Sequence, residues 1–168
     1  MIFLKRFIVF AVIGSILFSL SACKEKTEFV FRKQGIYFVT EEGTDISFKA
    51  SIGERHGTLN FTSPPTLKGL TVNSDGAGDY TLEYSDIKVS LGSFAVKTGE
   101  SFFAAMDCLE QAGNYKDGVI YAAVDGIEVK GIIKDEHITE LYFTDGMENR
   151  KYIITTEATV WKTVQKQG

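Results

Sequence analysis

Histidine, cysteine and proline each occur only twice in this chain of 168 residues, and tryptophan once. Neither histidine sits in a metal-ligand spacing, and the chain has no HExxH, no paired-cysteine spacing and no P-loop. His56 lies in Glu54-Arg55-His56-Gly57 and His137 in Asp135-Glu136-His137, both turn-like settings that suit solvated surface residues. No serine sits in a nucleophile elbow, Gly92-Ser93-Phe94 included, and no acid, base and nucleophile set assembles from the spacings. The expectation is therefore a non-enzymatic chain with no catalytic residue, cofactor or metal. Asp75, Asp79 and Asp86 cluster near Gly76 and Gly78 but lack the distal bidentate glutamate of a calcium loop, so a solvated turn is expected there. The net charge of -4 carries no basic excess, which argues against nucleic acid as a partner.

Long apolar runs are scarce too. One exists, from Phe7 to Leu20, interrupted only by Gly14, Ser15 and Ser19 and preceded by Lys5 and Arg6. As a helix it would reach about 21 Å, short of the roughly 30 Å of a hydrocarbon core, so it reads as an export signal rather than a permanent span. Leu20-Ser21-Ala22-Cys23 follows, and the chain turns polar at once with Lys24, Glu25 and Lys26. These four residues resemble the lipobox of bacterial lipoproteins. The resemblance implies lipidation of Cys23, cleavage before it, and an extracytoplasmic protein anchored by lipid to the cell membrane, or to the outer membrane if the source has one. A thiolate is the side chain nucleophilic enough to accept the diacylglyceryl group, and more than one acyl chain makes such an anchor stable.

With residues 1–22 removed as signal peptide, Lys5 and Arg6 go and no acid does, leaving a net charge of about -6 on 146 residues. That length suits one domain. Residues 23–28 read as a short tether and 29–168 as a single antiparallel β-rich domain. Cys108 is then the only thiol in the folded body and is expected as a small apolar residue on a helix flank.

Alternation with a period of two dominates this body. Ile46, Phe48, Ala50 and Ile52 fall on one face, and Leu59 and Phe61 follow a turn at 54–57. Pro64 and Pro65 stop that second strand. Tyr80, Leu82 and Tyr84 have the opposite parity to Ile87, Val89 and Leu91, so a bulge or tight turn must lie at Ser85-Asp86. The one good helix begins near Thr98 to Ser101 and ends at Gly113, a residue able to take the left-handed conformation. Its stripe is Phe102, Ala105, Met106, Leu109 and Ala112. Four more strands are expected at 119–124, 127–133, 138–143 and 152–156, with hairpin turns at Asp125-Gly126, Asp135-Glu136-His137 and Asp145-Gly146. Val160 and Trp161 are expected in a last strand or arm.

Strands, one helix and strands again predict an α+β fold: a strongly curved antiparallel β-sheet, a half-barrel, with the helix packed on its concave face. Leu59-Asn60-Phe61-Thr62-Ser63-Pro64, then Leu67-Lys68-Gly69-Leu70-Thr71-Val72 and the alternating Tyr80 to Tyr84, is similar to a stretch of the LolA/LolB-like lipoprotein-carrier superfamily. The similarity covers about residues 45 to 92 and lacks the carriers' long N-terminal helix. It implies an unclosed barrel whose apolar inside receives acyl chains or hydrophobic peptide.

On that expectation Phe102, Phe103, Met106 and Leu109 are the candidate lining for an apolar ligand, with methionine supplying adaptable packing. The same residues would equally complete a dry core. Tyr37, Phe38, Tyr80, Tyr84, Tyr142 and Tyr152 are candidates for stacking on sugars, although strands favour aromatics for packing alone. The leading functional expectation is a binding module in the cell envelope for a lipid or a lipoprotein acyl chain. The alternative is an envelope scaffold or assembly factor that holds protein partners through a sheet edge or exposed hairpins.

Overall fold

The computed structural model describes residues 27–76, 79–91, 97–159 and 162–165. Cys23, the expected signal and lipidation site before it, the Ala77-Gly78 part of one turn, Gly92-Ser93-Phe94, Val160 and Trp161 lie outside the described residues. Contacts divide the chain into two compact units, Phe29–Lys162 and the terminal segments Met1–Glu28 with Thr163–Gly168. Strands β1 (Thr27–Val30) and β13 (Lys162–Gln165) pair in a two-stranded sheet of their own.

The larger unit is built from two antiparallel meanders. The first runs through β2 (Gly35–Glu41), β3 (Ser47–Ile52), β4 (Gly57–Ser63), β5 (Thr71–Ser74), β6 (Tyr80–Tyr84) and β7 (Ile87–Leu91). Helix α1 (Lys97–Ala112) follows. The second meander is β8 (Asn114–Lys116), β9 (Val119–Val124), β10 (Ile127–Lys134), β11 (His137–Thr144) and β12 (Asn149–Thr159). The first strand of one pairs with the last strand of the other, β2 with β12. One sheet of eleven strands results, in the order β7-β6-β5-β4-β3-β2-β12-β11-β10-β9-β8.

This sheet is open. The strongly curved half-barrel with a helix on a concave face, expected from the number of strands, is not what the chain builds. The edges β7 and β8 lie at opposite ends of the order and do not pair. A sheet curled into a half-barrel would bring its end strands back over the helix and cover their apolar side chains. Instead Ile87 and Val89 of β7 keep 65% and 44% of their surface exposed, and all three residues of β8 are exposed. Wide open sheets are an allowed alternative to curling.

Local chemistry accounts for the hairpins. Asp125 and Gly126 both have positive φ, 50° and 86°, as a two-residue hairpin turn requires. Ser85, at φ 54°, makes the tight turn that the change of parity demanded, and Tyr84 is opposite Ile87. The sequence reading had no strand at β8, whose three residues are too few for a period to show. Away from the helix, polar side chains zip neighbouring strands together: Thr58 donates to Asn73 at 2.9 Å and Thr71 to Asn60 at 2.9 Å.

The other face carries the core. The ring of Phe102, from α1, stands among Tyr37 of β2, Phe48 of β3 and Tyr152 of β12, with centroids at 6.2, 5.3 and 5.6 Å in edge-to-face arrangements. Helix α1 also packs on β9, β10 and β11. It ends at Gly113 as expected, but for a different reason. Gly113 is not among the left-handed glycines; its amide still bonds to the Leu109 carbonyl at 2.9 Å, and an added Cβ would lie 2.3 Å from that oxygen and 2.7 Å from Ile120 Cδ1. Lack of space selects glycine here.

Candidate functional site

The four candidate lining residues are all on α1, and three of them are sealed. Phe102, Met106 and Leu109 have no exposed surface, and Phe103 retains 7%. Phe103 lies against β4, where a Cβ on Gly57 would come within 2.3 Å of its ring, and its ring centroid is 6.4 Å from that of Tyr80. Cys108, on the helix flank, is buried as well, and burial pushes its thiol pKa up, away from the reactive thiolate. The rings and the thioether thus fill the space between helix and sheet at the positions read as a lining.

Phe103 and Met106 do border a cleft, shared with Lys33, His56, Tyr80 and Asp107. Its volume is about 120 Å³. Ordinary ligand clefts hold about 300–1,000 Å³, so this one suits a few waters at roughly 30 Å³ each and not an acyl chain. Its lip is polar. Lys33 pairs there with Asp107 and, at 3.5 Å, with Glu110; burial alone would lower the ammonium pKa, and the two carboxylates more than offset it and leave it raised.

A larger cleft of about 420 Å³ lies on the face away from the helix, along Tyr121, Glu128, Lys130 and Tyr142. The register sets Tyr121, Lys130, Tyr142, Lys151 and Glu42 side by side on β9, β10, β11, β12 and the residue after β2. The Lys130 ammonium is 5.3 Å from the Tyr142 ring centroid and 6.0 Å from that of Tyr121, and Lys151 is 5.5 Å from Tyr142 on the other side. Lys151 also meets Glu42 at 2.7 Å, and the Tyr142 hydroxyl donates to Glu140 at 2.7 Å, which holds that carboxyl below its ordinary range. This ladder satisfies itself. With an ammonium from each neighbouring strand over its ring, Tyr142 has no open face for a sugar. Of the other aromatics considered for stacking, Tyr37 and Tyr152 are core residues, and Phe38, though exposed, has the Lys49 ammonium 5.2 Å from its ring centroid.

The sequence reading missed the charged cluster at the start of the helix. Glu41, at the end of β2, retains only 4% of its surface. It accepts a hydrogen bond from Thr98 Oγ1 at 2.8 Å and pairs with the Arg150 guanidinium, which also binds Glu148 at 2.7 Å. The Tyr152 hydroxyl donates to the Thr98 carbonyl at 2.9 Å. Burial, then the Glu41 charge, pushes the Tyr152 phenol well above its ordinary range. Thr98, within the first turn of α1, links these groups through its hydroxyl and its carbonyl. A signal was present: Tyr37, Val39 and Glu41 alternate inward along β2, and a carboxylate on an inward parity calls for a cation. The cluster ties β2, β12 and α1 together and is closed by its own partners.

Among the described residues no group of histidine, cysteine, aspartate and glutamate side chains could hold a metal ion. The Asp75 carboxylate accepts from the Asp79 amide at 3.2 Å, the geometry of a closed turn. His56 is an exposed turn residue, and His137 begins β11 rather than lying in the turn. No helix among the described residues is long and apolar enough to cross a membrane. No protein-family model matches the chain, and no curated protein does.

Among the described residues, three exposed apolar side chains gather at the β6–β7 end of the sheet. Val72 is fully buried, Leu82 beside it half-buried, and Tyr84, Ile87 and Val89 are exposed at 50%, 65% and 44%. The apolar side of the sheet therefore continues past the cover that α1 provides. The opposite edge is different: β8 has three residues and ends in Lys116, a short, charged edge of the kind that resists pairing.

Proposed function

We propose that this chain is a lipid-anchored, extracytoplasmic scaffold or assembly factor of a bacterial cell envelope, non-enzymatic, that engages protein partners through the β6–β7 end of its sheet. The anchor reading rests on Leu20-Ser21-Ala22-Cys23 behind a short apolar run. One observation carries the choice of a surface partner over an internal apolar ligand. Phe102, Met106 and Leu109 are spent on the core, whereas Tyr84, Ile87 and Val89 stand uncovered. Fully burying a side chain of valine or isoleucine size contributes about 1.5–3 kcal/mol, so a partner that covers this end has apolar surface to gain.

Mass spectrometry of the protein extracted from its own cells tests both parts. The expected mature N-terminus is Cys23 carrying a diacylglyceryl group, and Cys23→Ser should release the protein from the membrane fraction. A chain beginning at Met1, or an unmodified Cys23, removes the anchor. Under native conditions no lipid beyond the covalent one should co-purify; a stoichiometric bound lipid would reinstate the carrier-like reading on the lipoprotein-carrier resemblance.

A further inference from the structure

We infer that the partner at the β6–β7 end is a second copy of this chain, docked edge to edge through β7 about a two-fold axis at Val89. This rests on the reading that the exposed sheet end is the working surface and names what fills it.

In a two-residue hairpin the pair that flanks the turn exchanges both hydrogen bonds, and bonding then alternates along the strands. With Tyr84 opposite Ile87 and Leu82 opposite Val89, residues 87, 89 and 91 direct their backbone groups to β6. Lys88 and Ser90 direct theirs outward, on the edge of the eleven-stranded sheet. An edge strand of this kind pairs with another strand unless charge, shortness or a cover prevents it. Here β7 has five residues, and from Ser85 to Ser90 every residue is exposed.

Directly opposed residues of an antiparallel pair share a face, so apolar positions must meet apolar ones. Three registers of β7 on itself satisfy this. Centred on Lys88, the pairing sets two ammonium groups opposite each other, which is destabilising. Centred on Ser90, it leaves only residues 89–91 of the strand overlapped. Centred on Val89, it aligns the whole of β7, with Ile87 opposite Leu91, Val89 opposite Val89 and Lys88 opposite Ser90. No like charges meet, and Lys88 keeps its own partner, Glu83, at 2.6 Å. The outward backbone groups of Lys88 and Ser90, which no strand among the described residues pairs, are then satisfied, and the exposed Ile87 and Val89 of one copy extend the apolar side of the other. A two-fold, self-complementary contact of this type closes on itself and does not propagate. The short edge at β8 offers no second site for growth.

The test uses the full-length, membrane-borne protein. In the proposed register Val89 is a non-hydrogen-bonded pair with its own image, at a Cα separation of about 4.5 Å, within disulfide reach. Val89→Cys should give a disulfide-linked dimer under mild oxidation, about tenfold more than Met147→Cys, a fully exposed control, because docking raises the effective concentration of the two thiols. Lys88→Cys, whose image sits diagonally, should give little. Equal yields at positions 88, 89 and 147 would mean random collision and overturn the proposal. A photo-activatable residue at the exposed Ile87 supplies the second readout, which separates the two levels of the argument. An adduct of twice the chain mass is expected. Adducts only to other proteins, with no Val89→Cys dimer, overturn the second copy and leave the scaffold reading standing. No adduct of any kind overturns both.

Discussion

Glu41 and Arg150 are the two residues whose chemistry is most at odds with their surroundings. A carboxylate with 4% of its surface exposed has lost most of its water, and Arg150 and Thr98 take the place of that water as its partners. Removing one partner of such a pair leaves a buried charge uncompensated, a cost of about 3–5 kcal/mol. Arg150→Met should accordingly lower the unfolding free energy by an amount of that order, read as a lower urea midpoint with the m-value unchanged. Glu41→Leu with Arg150→Met should cost less than the two single changes added together, with a coupling of about 1–3 kcal/mol in a double-mutant cycle. Strict additivity would show that the two side chains do not stabilise each other. By contrast an exposed pair such as Lys88 with Glu83 on the β6–β7 hairpin sits in water and is of little consequence singly.

At the scale of elements, two glycines set how closely α1 approaches its neighbours. Gly57 opens β4 under the Phe103 ring, and Gly113 ends the helix against Ile120 of β9. Gly57→Ala should destabilise the protein by about 1–3 kcal/mol, because Phe103 is packed and its ring must be displaced. The same replacement at Gly53, where the nearest atom to an added Cβ is 3.5 Å away, should leave the urea midpoint almost unchanged. Much of this scale was legible in the sequence. The periods that marked 119–124, 127–133 and 138–143 as strands correspond to β9, β10 and β11, and Asp125-Gly126 named its own turn type. The reason Gly113 is glycine was not legible, since the atoms that exclude a side chain come from Leu109 and from a strand seven residues on. The inward parity of Glu41 along β2 was readable, but the cation that meets it was not, because Arg150 is separated from it by 109 positions along the chain.

For the larger unit as a whole, one aromatic junction links both meanders. Tyr37 and Phe48 come from the first, Tyr152 from the second, and Phe102 from the helix between them. Phe102→Ala should cost about 3–5 kcal/mol. Since the β2–β12 pairing and the helix share that ring, the loss should appear as one transition shifted to lower urea, with far-ultraviolet circular dichroism and tyrosine fluorescence coincident. Separate transitions by the two probes would show that the helix melts independently of the sheet.

The amino-acid sequence alone determined the local matters: the apolar run and the small residues before Cys23, the strands with their alternating faces, the turns, and the helix after β7 with its apolar stripe. Each depends on residues within a few positions of one another. Only the tertiary structure decided that the two meanders join at β2 and β12 into an open sheet instead of a strongly curved half-barrel. It alone also decided that Phe102, Met106 and Leu109 close a core, and that apolar surface is left over at β7. Those outcomes depend on which strands find each other and how far one helix of 16 residues reaches across eleven strands, and no periodicity encodes that reach.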